Sequence, residues 1–199
     1  MNFYMRAHRL VAGLVRFLLR VKITGAENVP QTGGCIVCAN HTSMLDVFAL
    51  SASFKRQLRY LAKVELFRIP ILSSLIRALG AYSVDRGKSD VGAMKKTISL
   101  LKEGELVCMF PQGTRYKGID PKDTKIKSGV AMAAYHARVP VLPVYIRLKN
   151  YKYAPFRRTE VIIGKPISFE SLGFVGGGSG EYMDVSRRIL EEICELNPS

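Results

Sequence analysis

Two periodicities alternate along the 199-residue chain, and the points where one gives way to the other mark out its elements. Val21-Lys22-Ile23-Thr24-Gly25 switches between apolar and polar at each step, the period of a short strand. Turn residues between Val29 and Gly34 close it, and the apolar run Cys35 to Ala39 predicts a buried strand. Asn40, Thr42 and Ser43 are capping side chains ahead of Met44-Leu45-Asp46-Val47-Phe48-Ala49-Leu50, so a helix is predicted there to about Ser53. The pattern then repeats, with strands over Leu58 to Lys63, Ala81 to Val84 and Leu106 to Phe110 and helices over Ile71 to Leu79 and Asp90 to Leu101 between them. Beyond a polar loop from Pro111 to Lys127 come a helix over Gly129 to Ala137 and strands over Val141 to Arg147 and Glu160 to Gly164. Gly176-Gly177-Gly178-Ser179-Gly180 reads as a flexible joint before a closing helix, Tyr182 to Leu196. Strands alternating with helices at this spacing predict, for residues 22–199, a single layered α/β domain whose sheet is largely parallel or mixed and flanked by helices.

Residues 1–21 carry a different pattern. On a wheel of about 100° per residue, Arg6, Arg9, Arg16 and Arg20 fall within an arc of roughly 80°, with Val11, Leu14, Val15 and Leu18 opposite. This is a basic, amphipathic helix. It can lie on the protein's own core with a solvated arginine face, or lie in a membrane interface. Arg16 and Arg20 interrupt its apolar stretch well short of the roughly 20 residues that a span requires, and a small-residue cleavage site for a secretory signal is missing.

Charge sharpens the second option. Thirty Lys and Arg against 16 Asp and Glu give a formal net charge of +14, which draws the surface toward polyanions, anionic lipids or phosphorylated substrates. The basic residues are spread over many elements and are not concentrated with stacking aromatics on one, so a nucleic-acid partner is not expected. The cysteines Cys35, Cys38, Cys108 and Cys194 sit mostly in apolar runs, as buried hydrophobes do in a reducing compartment. Cys35-x-x-Cys38 has no second pair, and His8, His41 and His136 have no metal-ligand spacing, so no metal is expected.

In an open α/β sheet, ligands gather at the carboxyl ends of strands, and four of these predicted strands carry polar or Pro-bounded clusters near an end. Asn40-His41 with Asp46 follows the first buried strand, Asp85-Arg86-Gly87 follows Val84, Phe110-Pro111-Gln112-Gly113-Thr114-Arg115 follows the strand at Leu106, and Val139-Pro140 precedes Val141. His41 and Asp46 are five residues apart, a spacing that points side chains roughly 140° apart on a helix. With His41 outside the helix, at the strand-to-helix junction, the two can meet, and Asp46 then fixes the imidazole tautomer so that the other nitrogen is a base. On spacing alone, His41 can equally be a capping or solvent-exposed histidine. No Gly-x-Ser-x-Gly elbow accompanies the pair, and a positioned His–Asp pair can instead deprotonate a substrate hydroxyl, which then attacks an activated acyl carbonyl directly.

Taken in order, His41 to Asp46, Gly80-Ala81-Tyr82-Ser83-Val84-Asp85-Arg86, Phe110 to Arg115 and Val139-Pro140-Val141-Leu142-Pro143-Val144 resemble the four segments of the glycerolipid acyltransferase family, which includes 1-acyl-glycerol-3-phosphate acyltransferases. The resemblance covers roughly residues 22 to 165. It implies that His41 is the general base, that Asp46 orients it, and that the second and third segments hold the acceptor's phosphate through Arg86, Gln112, Gly113, Thr114 and Arg115. Lys127, in Lys127-Ser128-Gly129 just after the third segment, is implied as an assisting cation. Gln112 departs from the family's usual glutamate, keeping its length but losing its charge.

The activity so implied is transfer of a fatty acyl group from acyl-CoA or acyl-carrier protein, without a cofactor, to the 2-hydroxyl of 1-acyl-glycerol-3-phosphate, giving phosphatidic acid in phospholipid biosynthesis. Gln112 motivates an alternative in which another lysolipid or glycerol-3-phosphate is the acceptor. The expected partners are an anionic membrane surface, a lysophospholipid acceptor and the acyl donor, and the expected location is peripheral, on the cytoplasmic face of the cell membrane.

Overall fold

The computed structural model describes residues 12–78, 80–84, 91–154 and 157–197. Seven strands, β1 (Val21–Thr24), β2 (Cys35–Ala39), β3 (Leu58–Lys63), β4 (Ala81–Val84), β5 (Leu106–Met109), β6 (Val141–Arg147) and β7 (Thr159–Ile163), form one sheet in the order β1-β7-β6-β2-β5-β3-β4. Neighbours are parallel except β6 and β7, which pair antiparallel, so the sheet is mixed. Helices α1 (Leu45–Ser53), α2 (Pro70–Ala78), α3 (Val91–Lys102), α4 (Gly129–Ala137) and α5 (Ser179–Glu195) connect or cover the strands.

The sequence pattern explains the layers. Every residue of β2 is buried, as expected of a central strand covered on both faces. Cys35, Val37 and Ala39 pack on one side with Ala49 and Leu50 of α1. Ile36 and Cys38 pack on the other, with Val130, Ala131, Ala133 and Ala134 of α4 and the Tyr182, Val185, Ile189, Ile193 stripe of α5. The small side chains of α4 let it lie close to the sheet, and α5 shows the three-and-four spacing of a helix with one apolar face.

This alternation also settles the Cys35-x-x-Cys38 spacing. An odd offset on a strand sends the two thiols to opposite faces, so they cannot close on one metal or on each other. All four cysteines are free and buried. Burial pushes the Cys35 thiol up to about 12, and drives Cys38 and Cys108 upward as well, which keeps them as unreactive core side chains.

Pro143 sits inside β6, in the middle of the sheet, where a missing N–H is ordinarily excluded. The neighbour accommodates it. β7 ends at Ile163, Gly164 N–H donates to the Pro143 carbonyl at 2.9 Å, and the chain detours before rejoining β6 through the reciprocal Val141–Ile167 pair. A Cβ at Gly164 would lie 2.9 Å from Leu196 Cδ2 and 3.0 Å from Pro143 Cγ, so the glycine leaves room for both side chains.

Two boundaries differ from the sequence reading in an informative way. The closing helix begins at Ser179, inside the glycine run, because the Glu181 carboxylate reaches back to the N–H groups of Val175 and Gly177, both at 2.6 Å. The run is thus tied back to the first turn of the helix and is not a free joint. Asn40 caps no helix: its amide mimics a strand, accepting from Ile146 N–H at 2.7 Å and donating to the Ile146 carbonyl at 3.1 Å.

Arg6, Arg9 and Val11 of the amphipathic stripe lie outside the described residues. Residues 12–18 are helical and end at Arg20, whose φ of 47° is left-handed. The Arg16 Nε–H donates to the Ala52 carbonyl in the last turn of α1 at 2.7 Å, a favourable place for a cation. Leu14, Phe17 and Leu18 are left 58%, 79% and 62% exposed. Of the apolar side, Leu14 and Leu18 are thus exposed and Val15 is half-buried, while Leu19 packs against the core. No helix among the described residues is long and apolar enough to cross a membrane.

Candidate active site

The register of the central strands builds the site. Cys38 of β2 pairs with Met109 of β5, so the chains leave the sheet side by side and His41 emerges next to Gln112. The two are joined: the His41 backbone N–H donates to Gln112 Oε1 at 2.6 Å. On the other flank, Asn40 clips the end of β2 to β6 through Ile146. His41 is thus held at the carboxyl ends of the three central strands, where open α/β sheets place ligands.

Asp46 lies in the first turn of α1 and has no solvent exposure. A buried carboxylate is costly unless it is fully hydrogen-bonded. Here Oδ2 accepts from His41 Nδ1 at 2.8 Å, from Thr42 N–H at 2.7 Å and from Ser43 N–H at 2.8 Å, while Oδ1 accepts from the Thr42 hydroxyl at 3.3 Å. Capping at this helix start thus runs backward, from a first-turn acid to the preceding N–H groups, with Ser43 Oγ accepting from Leu45 N–H.

The spacing that would separate His41 and Asp46 on a regular helix becomes contact because His41 lies in the turn before α1. A carboxylate oxygen only accepts, so Nδ1 carries the proton and the lone pair lies on Nε2. The ring is stacked on Phe110, with centroids 3.8 Å apart and planes 12° apart, and it retains 14% exposure. An imidazole so held, with one nitrogen committed and the other free, can take a proton from a molecule at the surface.

Gln112 is 2% exposed and both ends of its amide are engaged. Oε1 accepts from His41, and Nε2 donates to the Thr124 hydroxyl at 3.0 Å, which donates on to the Pro121 carbonyl. The structure thus places it behind His41 as a brace. Thr124 is the group that the sequence reading missed, since nothing in a loop without periodicity marks it.

The loop from Pro111 to Lys127 is closed by Lys127 N–H donating to the Pro111 carbonyl at 2.8 Å. This lays the Lys127 side chain across Gly113, whose φ of 65° favours glycine and where an added Cβ would lie 2.6 Å from Lys127 Cδ. Thr114, Arg115 and Lys127 are exposed, and neither cation has an ion-pair partner among the described residues. Arg86 lies outside the described residues; β4, which leads to it, ends at Val84, two strands from β5.

A second connection braces the first. Between β6 and β7, Asn150 and Tyr151 both take left-handed φ values, 56° and 51°, which non-glycine residues adopt at a cost. The turn puts the Tyr151 hydroxyl on Asp120 at 2.6 Å and its carbonyl on Gly118 N–H at 3.1 Å. Burial alone would raise the Asp120 carboxyl, but the bonds from Tyr151 and Lys122 N–H outweigh it and hold the group below its usual range. Tyr151 is in turn pushed up to about 12, by that bond first and by burial second.

Known proteins arrange themselves around the same residues. A family model described as "Acyltransferase" matches residues 20–147. A 1-acyl-sn-glycerol-3-phosphate acyltransferase of Bacillus subtilis is 31% identical over 150 residues, 74% of this chain and 73% of its own length. The Saccharomyces cerevisiae enzyme of that name is 31% identical over 163 residues, 77% of this chain and 54% of its own. The chain therefore spans only about half the length of some of the relatives it matches. The crystal structure of a 1-acyl-sn-glycerophosphate (LPA) acyltransferase from Thermotoga maritima superposes with a TM-score of 0.68 at 28% identity, over 100% of this chain and 86% of that one.

Proposed function

The chain belongs to the acyltransferase family, and from that premise we propose that it moves a fatty acyl group from acyl-CoA or acyl-carrier protein onto the 2-hydroxyl of 1-acyl-glycerol-3-phosphate, forming phosphatidic acid. The observation that carries this reading is His41, held through Nδ1 by buried Asp46 and left with Nε2 free. Nε2 removes the proton of the acceptor hydroxyl as its oxygen attacks the thioester carbonyl carbon. The tetrahedral intermediate collapses with cleavage of the carbon–sulfur bond, and the departing thiolate takes the proton from the imidazolium. Asp46 stabilises that imidazolium while it exists. The protein supplies no nucleophile, and no acyl-enzyme forms.

Arg115, Lys127 and Arg86 are the proposed phosphate partners. An arginine forks two donors onto a phosphate, and a cation without a competing carboxylate is available to do so. Gln112 no longer argues for a different acceptor, because its amide meets the protein at both ends. The test is the purified chain with labelled acyl-CoA or acyl-carrier protein and two acceptors, lysophosphatidate and a monoacylglycerol. Arg115→Ala is expected to raise KM for lysophosphatidate about tenfold, the worth of one hydrogen bond to a charged group, and to leave KM for the uncharged acceptor unchanged. Equal effects on both acceptors would remove Arg115 from the phosphate site.

We further propose that the enzyme works as a peripheral protein on an anionic membrane, at the cytoplasmic face, with the helix at residues 12–18 in the interface. The exposed Leu14, Phe17 and Leu18 and the net charge of +14 support this. Met44 and Leu45, exposed immediately after the His41 turn, place further apolar surface at the site entrance. Replacing Phe17 and Leu18 together by glutamate is expected to weaken sedimentation with phosphatidylglycerol vesicles about tenfold or more, with transfer to a detergent-dispersed acceptor retained. Unchanged sedimentation would exclude this segment.

A further inference from the structure

The connection between β6 and β7 brings one more group to the catalytic pair. Tyr153 packs its ring against the same core layer as Phe110, and its hydroxyl is buried without a hydrogen-bond partner. Buried polar groups are nearly always paired, so an orphan of this kind calls for a reason. Its surroundings provide one: the Asp46 carboxylate lies beside it, and burial first, then that negative charge and the hydroxyl's approach to the carboxylate, push the phenol far above its ordinary range.

Asp46 carries the complementary deficit. Oδ2 already accepts three bonds, whereas Oδ1 accepts only the long one from Thr42, at 3.3 Å. A buried carboxylate oxygen with spare lone pairs therefore lies beside a buried hydroxyl with nothing to bond.

We propose that Tyr153 is a positioning residue for acyl transfer, its hydroxyl donating to Asp46 Oδ1 when His41 takes up the acceptor's proton. In the resting enzyme, Oδ2 alone is well anchored, and the carboxylate can pivot about it. Proton uptake at His41 creates a cation that competes for the carboxylate. A second donor on Oδ1, alongside the Thr42 hydroxyl, fixes the carboxylate plane so that Oδ2 stays aimed at Nδ1. Donors that strengthen as charge develops accelerate the step itself and leave ground-state binding alone.

The proposal rests on the reading of His41 and Asp46 as the catalytic pair. Its test uses kcat, acceptor KM and thermal unfolding midpoints of the wild type, Tyr153→Phe, Thr42→Val and the double variant, with His41→Ala as a separate control. Tyr153→Phe is expected to lower kcat about tenfold, the scale of one hydrogen bond to a charged group. KM stays unchanged, and the midpoint does not fall, because no hydrogen bond of ordinary geometry is lost with the hydroxyl. The double variant is expected to lose more than the product of the single losses, since both hydroxyls serve one oxygen. A Tyr153→Phe kcat within about twofold of wild type, a change confined to KM, a lowered midpoint that accounts for the lost turnover, or strictly multiplicative losses would each overturn it. An active wild type and a dead His41→Ala beside a normal Tyr153→Phe would sink this proposal and leave the base assignment standing.

Discussion

His41→Ala is expected to lower kcat/KM for acyl transfer to lysophosphatidate about 10³-fold, within the range for loss of a positioned general base, with the α/β fold intact. The loss is chemical because the hydroxyls beside the pair, those of Thr42 and Tyr153, lie at Asp46 and are buried, and so do not replace Nε2. The fold survives because the turn is held by backbone. Gln112 Oε1 binds the backbone N–H of residue 41, Tyr116 N–H donates to its carbonyl at 2.9 Å, and Asp46 keeps the N–H groups of Thr42 and Ser43. What disappears is one bond to Asp46 and the stack on Phe110, worth about 1–3 kcal/mol together. Steady-state rates with lysophosphatidate, set beside the unfolding midpoint, check both halves. Turnover close to wild type in a purified His41→Ala enzyme would show that the proton leaves by another route.

The catalytic turn was legible in the sequence for a definite reason. Period-two and apolar runs fixed β2 and β5, and residues that end such runs at the carboxyl edge of a sheet are the ones free to do chemistry. His41 and Gln112 come from those two ends. Their adjacency was not legible, because it depends on β5 returning to lie beside β2 after β3 and β4 have been laid down, an order that no local pattern states. The same topology explains what the sequence reading took wrongly about Asn40. As a polar residue before a helix it resembles a cap, yet β6 lies on its other side, and its amide serves the sheet. Thr124, Tyr151 and Tyr153 belong to irregular connections, where contacts are set by long-range packing. The substitution at residue 112 gains its meaning only there: an amide suits a site that must accept from His41 N–H and donate to Thr124, whereas a carboxylate only accepts and bonds Thr124 only if that hydroxyl turns away from Pro121 and donates to it.

Asp46→Asn separates orientation from basicity, and its expected cost is about 10²- to 10⁴-fold in kcat, on the pattern of tautomer-fixing aspartates. The substitution is nearly isosteric, so the cavity stays filled. With its carbonyl oxygen in the Oδ2 position, asparagine can still accept from Thr42 and Ser43 N–H, and its NH2 can donate to the Thr42 hydroxyl. Two things are lost. The amide carries no charge to stabilise the imidazolium, and in its flipped orientation it donates toward His41, which favours the tautomer with the proton on Nε2 and removes the base altogether. Because the aspartate acts only through the histidine, the two substitutions should not multiply: His41→Ala with Asp46→Asn is expected to be no slower than His41→Ala alone. Comparing kcat/KM across the two single variants and the double variant reads this directly. A double variant slower than His41→Ala by the full factor of Asp46→Asn would mean that Asp46 reaches the substrate by its own path, which a fully buried carboxylate with three donors on one oxygen is not placed to do.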